Sequence, residues 1–461
     1  MNHFTSLVEK YEISFLVSKY KDNGVWVLYN WLDTQNIKIE DTNHPLYQIL
    51  EASEPKFDKF FLNENSSDFD YLIENKFIVN SQDDIRKIVE EKYAETNTPN
   101  KLELILMVAN EACNFDCVYC YEDHSQKDRM GSYEKQVLTK FIEKLSLNEI
   151  GIDYFGGEPL LNKEFILSFN SIILDYANQN NIRFTSSMTT NGYLLNKELF
   201  EKFLDLKITN YQVTLDGNRE DHDVLRPLVN GKGTFDKIYK NLVEISKLDK
   251  KKHFSITIRI NFNHITATKS KREQFLLSLK NDFGGDNRFL IHPHPIGNWK
   301  NETDTNGFYM DRQIASEIEK EYEEEVKSLG FNPFSIVNYS GIDSNSCYAD
   351  KKNNLVVFPV STCSEKKNLK VQKCTVALKN PANTSGYISP EGELVKNSNW
   401  GVWVKNTPFK KEGCKSCFFV LNCYGSSCPL NTLLFNEVIC PQEKHQEIDL
   451  VKRIVSYIDT D

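Results

Sequence analysis

The sequence contains no long apolar run and no run of basic residues. A membrane-spanning helix needs about 18 or more consecutive apolar residues, and no stretch of this chain approaches that length. Its N-terminal residues lack the basic region, apolar core and cleavage site of a secretory signal. Acidic residues outnumber basic ones by 65 to 55, and the resulting net charge of −10 disfavours binding to a phosphate backbone. We therefore expect a cytoplasmic protein with no membrane partner and no nucleic-acid partner.

Cysteine is absent from the long middle of the chain, between Cys120 and Cys347. Three of the 11 cysteines lie within residues 113–120, and the others lie between Cys347 and Cys440. A reducing cytoplasm keeps thiols free, so we do not interpret these residues as disulfides. Two separate groups of cysteines predict two metal-binding regions instead.

The middle of the chain alternates short apolar segments with amphipathic ones, a pattern that predicts parallel β/α units. With 461 residues the chain is too long for one compact core, and residues 98–300 hold this repeating part. We predict strands at 102–109, 152–157, 184–192, 211–217, 254–263 and 288–293. The expected fold class is α/β, a partial (β/α)6 barrel of the TIM type, whose chemistry gathers at the C-terminal ends of the strands.

The regions on both sides of the barrel differ from it in composition. Residues 1–97 combine strands around polar turns with short amphipathic helices, which predicts a small winged-helix-like module. Residues 301–345 are polar and charged, so we expect a helical bridge with a solvated surface. Residues 346–445 are rich in cysteine and poor in periodic apolar patterns, which favours organisation by metal. Residues 446–461 are expected to form a C-terminal helix.

Cys113, Cys117 and Cys120 follow the first predicted strand at the spacing CxxxCxxC. Three thiolates can bind three irons of a 4Fe–4S cluster and leave the fourth iron open. An open iron can chelate the amino and carboxylate groups of S-adenosylmethionine, and an electron from the cluster then releases a 5′-deoxyadenosyl radical. A structural zinc site is the alternative, but zinc needs a fourth ligand, and His124 is the only near candidate in the sequence.

This spacing, with Tyr119 before the third cysteine, resembles the signature of the radical S-adenosylmethionine (radical SAM) enzymes. Gly156, Gly157 and Glu158, followed by a proline, are similar to the strand-end motif of that family. The resemblance implies that the backbone of this motif and the Glu158 carboxylate meet the amino group of the cofactor. It also implies that Tyr119 lies in the cofactor site.

Two later segments resemble the peptide-modifying branch of the same family. They are TTNG at residues 189–192 and VTLDG at residues 213–217. The resemblance implies cofactor contacts by Asn191, Thr214 and Arg226, with Arg226 binding a carboxylate through its guanidinium fork. The branch often has serine where Thr214 stands, and threonine keeps the hydroxyl donor.

The C-terminal cysteines resemble the SPASM domain, an extension of this branch that holds two auxiliary 4Fe–4S clusters. By that resemblance, the ligands of the outer auxiliary cluster are Cys414, Cys417, Cys423 and Cys440. The ligands of the inner auxiliary cluster are Cys347, Cys363, Cys374 and Cys428. Three clusters in total then use all 11 cysteines.

The inner cluster departs from the common SPASM pattern. Asn397 stands where the motif PxGxxxxC places a cysteine, and the spacing before Cys428 is one residue longer than usual. Either Cys347 or Cys363 substitutes for the missing ligand, or the inner cluster has an open site that binds a substrate thiol. The sequence leaves these alternatives open.

The N-terminal module resembles the leader-recognition element of enzymes that modify ribosomally made peptides, which binds an extended peptide by strand addition. We therefore expect a peptide maturase that abstracts a hydrogen atom from a precursor peptide and forms a cross-link, with a thioether as first choice. A carbon–carbon cross-link or an epimerisation needs the same catalytic parts. The expected partners are a precursor peptide with a leader and a reductant such as flavodoxin or ferredoxin.

Two other classes of protein are the alternatives. An anaerobic sulfatase-maturing enzyme, which makes formylglycine, resembles this chain in the barrel motifs and both auxiliary clusters. That type has an aspartate at the position of Ser398. A non-catalytic iron–sulfur protein would explain the cysteines, but it would leave the motifs at 156–159 and 189–192 and the pair Thr214 and Arg226 without a role.

Overall fold

The computed structural model describes residues 10–52, 56–58, 67–298, 304, 308–331, 347–361, 367–404, 407–425 and 428–458. The chain divides into two compact units. We call them the terminal unit (Met1–Asn97, Ile336–Lys351 and Lys405–Asp461) and the barrel unit (Thr98–Ser335 and Lys352–Val404). The cysteine-rich C-terminal region therefore contributes to both units, and the division into five sequence domains stays a prediction. None of the described helices has the length and apolar composition needed to cross a bilayer.

The described strands and helices are numbered along the chain. The strands are β1 (Lys10–Ile13), β2 (Val17–Asp22), β3 (Val25–Asn30), β4 (Gln35–Ile39), β5 (Phe57–Asp58), β6 (Ile78–Val79), β7 (Lys101–Met107), β8 (Glu149–Phe155), β9 (Arg183–Thr190), β10 (Ile208–Thr214), β11 (Ser255–Phe262), β12 (Phe289–Pro295), β13 (Asn354–Val357), β14 (Leu369–Gln372), β15 (Thr384–Ile388) and β16 (Leu394–Lys396). The helices are α1 (Pro45–Ala52), α2 (Ser67–Glu74), α3 (Gln82–Glu95), α4 (Ser132–Glu143), α5 (Lys163–Gln179), α6 (Lys197–Asp205), α7 (Arg219–Leu225), α8 (Phe235–Ser246), α9 (Lys269–Phe283), α10 (Arg312–Ser328), α11 (Trp400–Trp403), α12 (Val420–Cys423), α13 (Pro429–Phe435) and α14 (Glu447–Ile458).

Parallel strands form the centre of the barrel unit. Strands β7 to β12 pair in chain order, and each pair is parallel. A helix follows each of the strands from β7 to β11, as parallel crossovers require. The predicted α/β class, with its repeated strand–helix units, is confirmed.

Strand β7 has neighbours on both sides. β13 pairs with it in parallel, with Leu355 opposite Leu104, and β14, β15 and β16 continue the sheet in antiparallel fashion. Among the described residues the sheet has ten strands. No pattern in the sequence predicts this extension, because the added strands are only three to five residues long.

Side chains alternate between the two faces of the barrel strands, as the period of a strand requires. On β8, Ile152 and Tyr154 are buried in the main hydrophobic core, which also contains Phe165 and Phe169 of α5. Phe165 and Phe169 are four residues apart, so both lie on one face of their helix. Phe155 lies on the opposite face of β8 and lines the cavity described below.

The charged helix α10 packs against β12. Tyr322 and Val326, four residues apart, are buried in the main core. Arg272 of α9 donates to Glu321 over 2.9 Å and to Glu325 over 2.7 Å. The sequence predicted a helix here but not its buried face, which two apolar side chains one helical turn apart give to α10.

An antiparallel sheet of β2, β3 and β4 begins the terminal unit. The turn between β2 and β3 contains Asn23 and Gly24, whose φ angles of 49° and 86° are those of a tight two-residue hairpin. Helices α1 to α3 follow, and β1 pairs with the short strands β5 and β6. Among the described residues, β4 pairs only with β3, so it is an outer strand of its sheet.

The N-terminal and C-terminal parts of the terminal unit share one hydrophobic core. The ring centroid of Trp31 lies 5.6 Å from that of Phe418 and 5.6 Å from that of Phe419. The rings of Tyr93 and Tyr424 are 5.2 Å apart. Segments at opposite ends of the sequence therefore stabilise each other.

Polar contacts reinforce this core. Arg86 of α3 donates to the backbone oxygen of Lys415 over 2.9 Å. Lys410 and Asp350 form a buried ion pair at 2.5 Å, and the Tyr93 hydroxyl donates to the same Asp350 carboxylate over 3.4 Å. These contacts hold the C-terminal segment and Asp350 against α3.

Candidate active site and cluster sites

A cavity of about 430 Å³ lies at the C-terminal ends of the barrel strands. This volume is within the usual range for a small-molecule site. The cavity brings together nine of the residues singled out in the sequence: Cys113, Cys117, Tyr119, Cys120, Gly156, Gly157, Asn191, Thr214 and Arg226. The site therefore forms at the end of the barrel where parallel β/α folds carry their chemistry.

The three-cysteine loop is fastened to the segment that follows α7. The backbone N–H of Asp116 donates to the oxygen of Pro227 over 2.9 Å, and that of Val118 donates to Leu225 over 3.0 Å. Phe115 and Leu228 form a short antiparallel bridge beside these bonds. These backbone contacts with residues 225–228 give the loop a defined path.

All three thiols of this loop are partly buried and line the one cavity. Burial raises the pKa of Cys113 to about 12 and that of Cys117 to about 11, so a bound cation is needed to hold them as thiolates. Within the described ranges, no three His, Cys, Asp or Glu side chains converge on the position of a single metal ion. A 4Fe–4S cluster takes its thiolates on different irons, and the three thiols that line this cavity fit a cluster of this kind.

Tyr119 lies at the centre of a buried hydrogen-bond network. Its hydroxyl donates to Asp216 Oδ2, and it accepts from Arg226 Nη1 over 2.5 Å and from Asn261 Nδ2 over 3.0 Å. Asp216, which is fully buried, also accepts from the backbone N–H of Asn261 over 2.9 Å. In the described part of the chain, Arg226 Nε is buried and has no hydrogen-bond partner. The guanidinium group is thus held on one side and keeps one buried donor for a ligand.

Gly156 and Gly157 permit close packing of the end of β8 on the segment before Cys113. A Cβ at Gly156, where φ is +90°, would lie 2.4 Å from the oxygen of Asn110. A Cβ at Gly157 would lie 2.2 Å from the oxygen of Ala112. Because the colliding atoms belong to the backbone, no side-chain movement can relieve either contact.

The Glu158 side chain faces β9 and is fully buried. Its carboxylate accepts from the backbone N–H of Leu160 over 2.9 Å, from the Thr190 hydroxyl over 2.7 Å and from the backbone N–H of Asn191 over 2.7 Å. Glu158 is not among the described residues that line the cavity. It fixes the ends of β8 and β9 together, and its contact with the cofactor stays a prediction.

Glu122 is a cavity residue that the sequence analysis did not single out. It is 6% exposed, lines the cavity and accepts from the backbone N–H of Gly157 over 2.9 Å. Burial raises its pKa to about 7, against the opposing effect of the Gly157 N–H. Its position, two residues after Cys120, is the signal that could have identified it.

Three polar residues on the last two barrel strands also line the cavity: Arg259, Asn261 and His294. Arg259 and Asn261 are two residues apart on β11, so they share a face of the sheet. His294 Nδ1 lies 3.3 Å from Glu319 Oε1 of α10. The alternating pattern of β11 could have placed Arg259 and Asn261 on one face, but no sequence motif marks these residues as part of a site.

Four cysteines line a second, smaller cavity in the terminal unit: Cys414, Cys417, Cys423 and Cys440. These are the residues that the SPASM resemblance assigns to the outer auxiliary cluster. Gly425, with φ of +70°, turns the chain after Cys423, and a Cβ there would lie 2.3 Å from the oxygen of Pro408 and 3.3 Å from Cys414 Sγ. The four-thiol donor set and its tight enclosure fit a 4Fe–4S cluster.

The residues assigned to the inner auxiliary cluster are distributed over both units. Cys347 and Cys428 belong to the terminal unit, Cys374 belongs to the barrel unit, and Cys363 lies outside the described residues. Asn397 donates its side-chain amide to the oxygen of Thr384 over 2.9 Å, so the fold uses it in a turn. The ligand set of this cluster stays a prediction.

Part of the barrel unit matches the model of a known protein family. The model of the Radical SAM superfamily matches residues 107–269, which contain the three-cysteine loop and the strand-end motifs. The radical SAM cyclopropyl synthase TigE of Paramaledivibacter caminithermalis is 27% identical over 202 residues, which cover 39% of this chain and 39% of that protein. A cysteine-type anaerobic sulfatase-maturating enzyme of Clostridium novyi is 31% identical over 170 residues, which cover 35% of this chain and 44% of that protein. The chain thus spans about two fifths of the length of these relatives.

A solved structure has a similar fold. Native anSMEcpe with bound AdoMet aligns with a TM-score of 0.59 at 16% identity, over 78% of this chain and 99% of that chain. At this level of identity, the likeness concerns the fold alone.

Proposed function

The chain contains a radical SAM domain at residues 107–269, and from this premise we propose that it is a peptide maturase. In this proposal a SAM-derived radical removes a hydrogen atom from a precursor peptide, and the peptide radical then forms a cross-link. The support comes from the cysteine-lined cavity, from a second cysteine set in the terminal unit, and from the edge strand ahead of the barrel.

Cys113, Cys117 and Cys120 are the residues that would hold the radical-generating cluster, which, with SAM bound, supplies the 5′-deoxyadenosyl radical. SAM carries an ammonium group and a carboxylate group on its methionine part. Glu122 offers a carboxylate to the ammonium end, and the buried Nε of Arg226 offers a donor to the carboxylate end. Charged groups in an enclosed site act strongly because little water screens them, so this pair would orient the cofactor.

The observation that carries the proposal is the position of Thr375 and Val376. Both line the cavity of the three-cysteine loop, and both directly follow Cys374, which is buried. A residue assigned to the inner auxiliary cluster is therefore adjacent in sequence to the wall of the radical cavity. This placement suits a reaction in which a substrate radical must pass an electron to a nearby acceptor.

A thioether is the product that we propose. The peptide loses a hydrogen atom from carbon to the 5′-deoxyadenosyl radical and a proton from a cysteine thiol. A carbon–sulfur bond forms, and the remaining electron passes to an auxiliary cluster. Asn397 stands where the common SPASM pattern has a cysteine, and its amide donates to Thr384. Of the two alternatives given above, the proposal takes the open site on the inner cluster, which a substrate thiol would fill.

The edge of β4 is the proposed contact for the leader of the peptide. An outer strand presents unpaired N–H and C=O groups, and an extended peptide can add to them as a further strand. β4 pairs with β3 on one side only within the described residues. The neighbouring strand β3 contributes Val27 and Tyr29 to the core that also holds Cys417 and Cys423.

The first test needs no peptide. Reduced with dithionite under anaerobic conditions, the protein should convert SAM into 5′-deoxyadenosine. Replacing Cys113, Cys117 and Cys120 with alanine should abolish that product and remove roughly a third of the iron, if three clusters of equal size are present. Full iron content without 5′-deoxyadenosine would contradict the proposal.

The second test co-expresses the chain with candidate precursor peptides that carry a leader. After co-expression, a thioether cross-link would appear as a peptide that has lost two hydrogen atoms and kept its sulfur. Sulfatase-type maturation is the second candidate, favoured by the similarity to the enzyme of Clostridium novyi. It would remove the sulfur from a cysteine as formylglycine forms, so the mass of the product separates the two.

A further inference from the structure

The cavity of the outer cysteine set contains two lysines as well as four thiols. Lys444 Nζ lies 3.6 Å from Cys440 Sγ, within range of a hydrogen bond to sulfur. Lys411 Nζ donates to the backbone oxygen of Val438 over 3.0 Å. Of these two ammonium groups, the one on Lys444 contacts a sulfur directly.

The local chain path explains this contact. Cys440 is followed by Pro441, which begins a short 3-10 helix over Gln442–Gln446. Lys444 is on this helix, which turns the chain back and brings its ammonium group to the Cys440 sulfur. Lys415, which follows Cys414 in sequence, instead pairs with Glu412 at 3.0 Å on the surface.

The surroundings of the sulfurs make this charge effective. Cys414 is 6% exposed, and Cys417 and Cys423 are each 8% exposed, so water screens the site poorly. Reduction adds an electron to a cluster, and a nearby positive charge stabilises the reduced form more than the oxidised form. Hydrogen bonds to cluster sulfurs and local charge are established determinants of cluster potential.

We propose that Lys444 tunes the outer auxiliary cluster, raising its reduction potential through the charge and the N–H···S contact that it places on Cys440. Lys444 acts through Cys440 and is a positioning residue for the electron acceptor. The inference rests on the proposed function, because it requires a cluster on Cys414, Cys417, Cys423 and Cys440. With Lys444 in place, the outer cluster accepts an electron more readily than it would without that positive charge.

The test is a potentiometric titration, monitored by electron paramagnetic resonance, of the full chain. The background carries Cys113→Ala, Cys117→Ala and Cys120→Ala, so that only auxiliary clusters contribute to the spectrum. In Lys444→Gln, the reduced-to-oxidised ratio of one cluster at a fixed potential should fall roughly tenfold, which corresponds to about 59 mV for one electron. Lys415→Gln, which removes the same formal charge from the terminal unit, should leave both potentials unchanged.

Lys444→Arg separates charge from shape. An arginine keeps the positive charge and N–H donors, so this variant should hold the potential of the parent protein. If the reduction potential falls as far in Lys444→Arg as in Lys444→Gln, the inference is overturned. Equal potentials in Lys444→Gln and Lys415→Gln at full iron content would also overturn it.

Iron per chain is counted before each titration. If Lys444→Gln holds less iron than Lys415→Gln, the same comparison is made with Lys444→Met, which keeps the length of the side chain. An iron content too low for any auxiliary cluster would overturn the proposed function and this inference together. An unshifted potential at full iron content would overturn the inference alone.

Discussion

The hydroxyl of Tyr119 accepts a hydrogen bond of 2.5 Å from Arg226 Nη1. The same hydroxyl donates to the fully buried Asp216, so it connects a cation and an anion at the wall of the cavity. Tyr119, the aromatic residue of the cysteine motif, therefore contributes its hydroxyl as well as its ring to the wall of the cavity.

Tyr119→Phe should weaken the binding of SAM without removing the cluster. The change leaves Asp216 without its hydroxyl donor and releases Arg226, and the loss of one hydrogen bond to a charged group, about 1.5 kcal/mol, corresponds to roughly tenfold weaker binding. Equilibrium binding of SAM to the cluster-loaded protein measures the effect. Tyr239→Phe, which removes a surface hydroxyl bound to Asp282, serves as the control. Equal SAM affinity in the two variants would show that the network does not position the cofactor.

Gly157→Ala should destabilise the barrel unit, because the added Cβ would meet the backbone oxygen of Ala112 at 2.2 Å. Overpacking against backbone typically costs about 1–3 kcal/mol, and thermal unfolding followed by circular dichroism would report it. Gly401→Ala is the matched control, since a Cβ at Gly401 meets no atom within 4 Å. The same melting temperature for both variants would contradict the close approach of β8 to the cysteine loop.

Trp31→Ala should reduce the iron content of the protein although Trp31 is distant in sequence from every cysteine. Its ring packs on Phe418 and Phe419, which directly follow Cys417, and truncation of a buried tryptophan typically costs about 3–5 kcal/mol. We expect iron to fall by about a third as the outer cluster is lost. Trp26→Ala is the control, because the Trp26 indole instead donates to Glu51 at the surface. Deletion of residues 1–97 should likewise reduce the iron, so it cannot test leader binding alone.

Asp153→Asn should remove a pH dependence of stability. Burial raises the pKa of Asp153 to about 7, so the folded state holds a proton that the unfolded chain releases near pH 4. Stability due to this group is therefore complete below pH 4 and decreases as the pH rises toward 7. The variant should melt a few degrees higher than the parent at pH 8, about 2–4 °C for each kcal/mol recovered, and should differ less at pH 5.5. Asp175→Asn, at an exposed position of α5, is the control, and a parallel shift at both pH values would contradict the assignment.

The strands of the barrel were predictable because each one is a short apolar segment followed by a helix. The predicted strand at 211–217 and the observed β10 (Ile208–Thr214) differ at both ends, since Leu215 to Gly217 leave the sheet to carry Asp216 into the network. A local pattern marks an apolar run but not the residue at which pairing with neighbouring strands ends. The boundaries therefore needed the structure.

The candidate site was predictable where a motif marked it. Glu158 belongs to such a motif, but the donors that turn its carboxylate toward β9 come from Thr190 and Asn191, more than 30 residues away. Glu122 and His294 had no motif, and only the closure of the strands brings them to one cavity. Side-chain direction and long-range proximity are tertiary properties, which spacing alone does not encode.

The pairing of Trp31 with Phe418 and Phe419 affects the order in which the chain can fold during synthesis. The ribosome releases the N-terminal segment first, and the whole barrel unit is translated before Phe418 emerges. Until then the aromatic face around Trp31 lacks Phe418 and Phe419, and an incompletely covered apolar face favours aggregation and engagement by chaperones. Closing so long a stretch of chain also slows the final step of folding. The terminal unit is therefore expected to reach its native state after the barrel unit, and the outer cysteine set can receive iron only after Cys440 has left the ribosome.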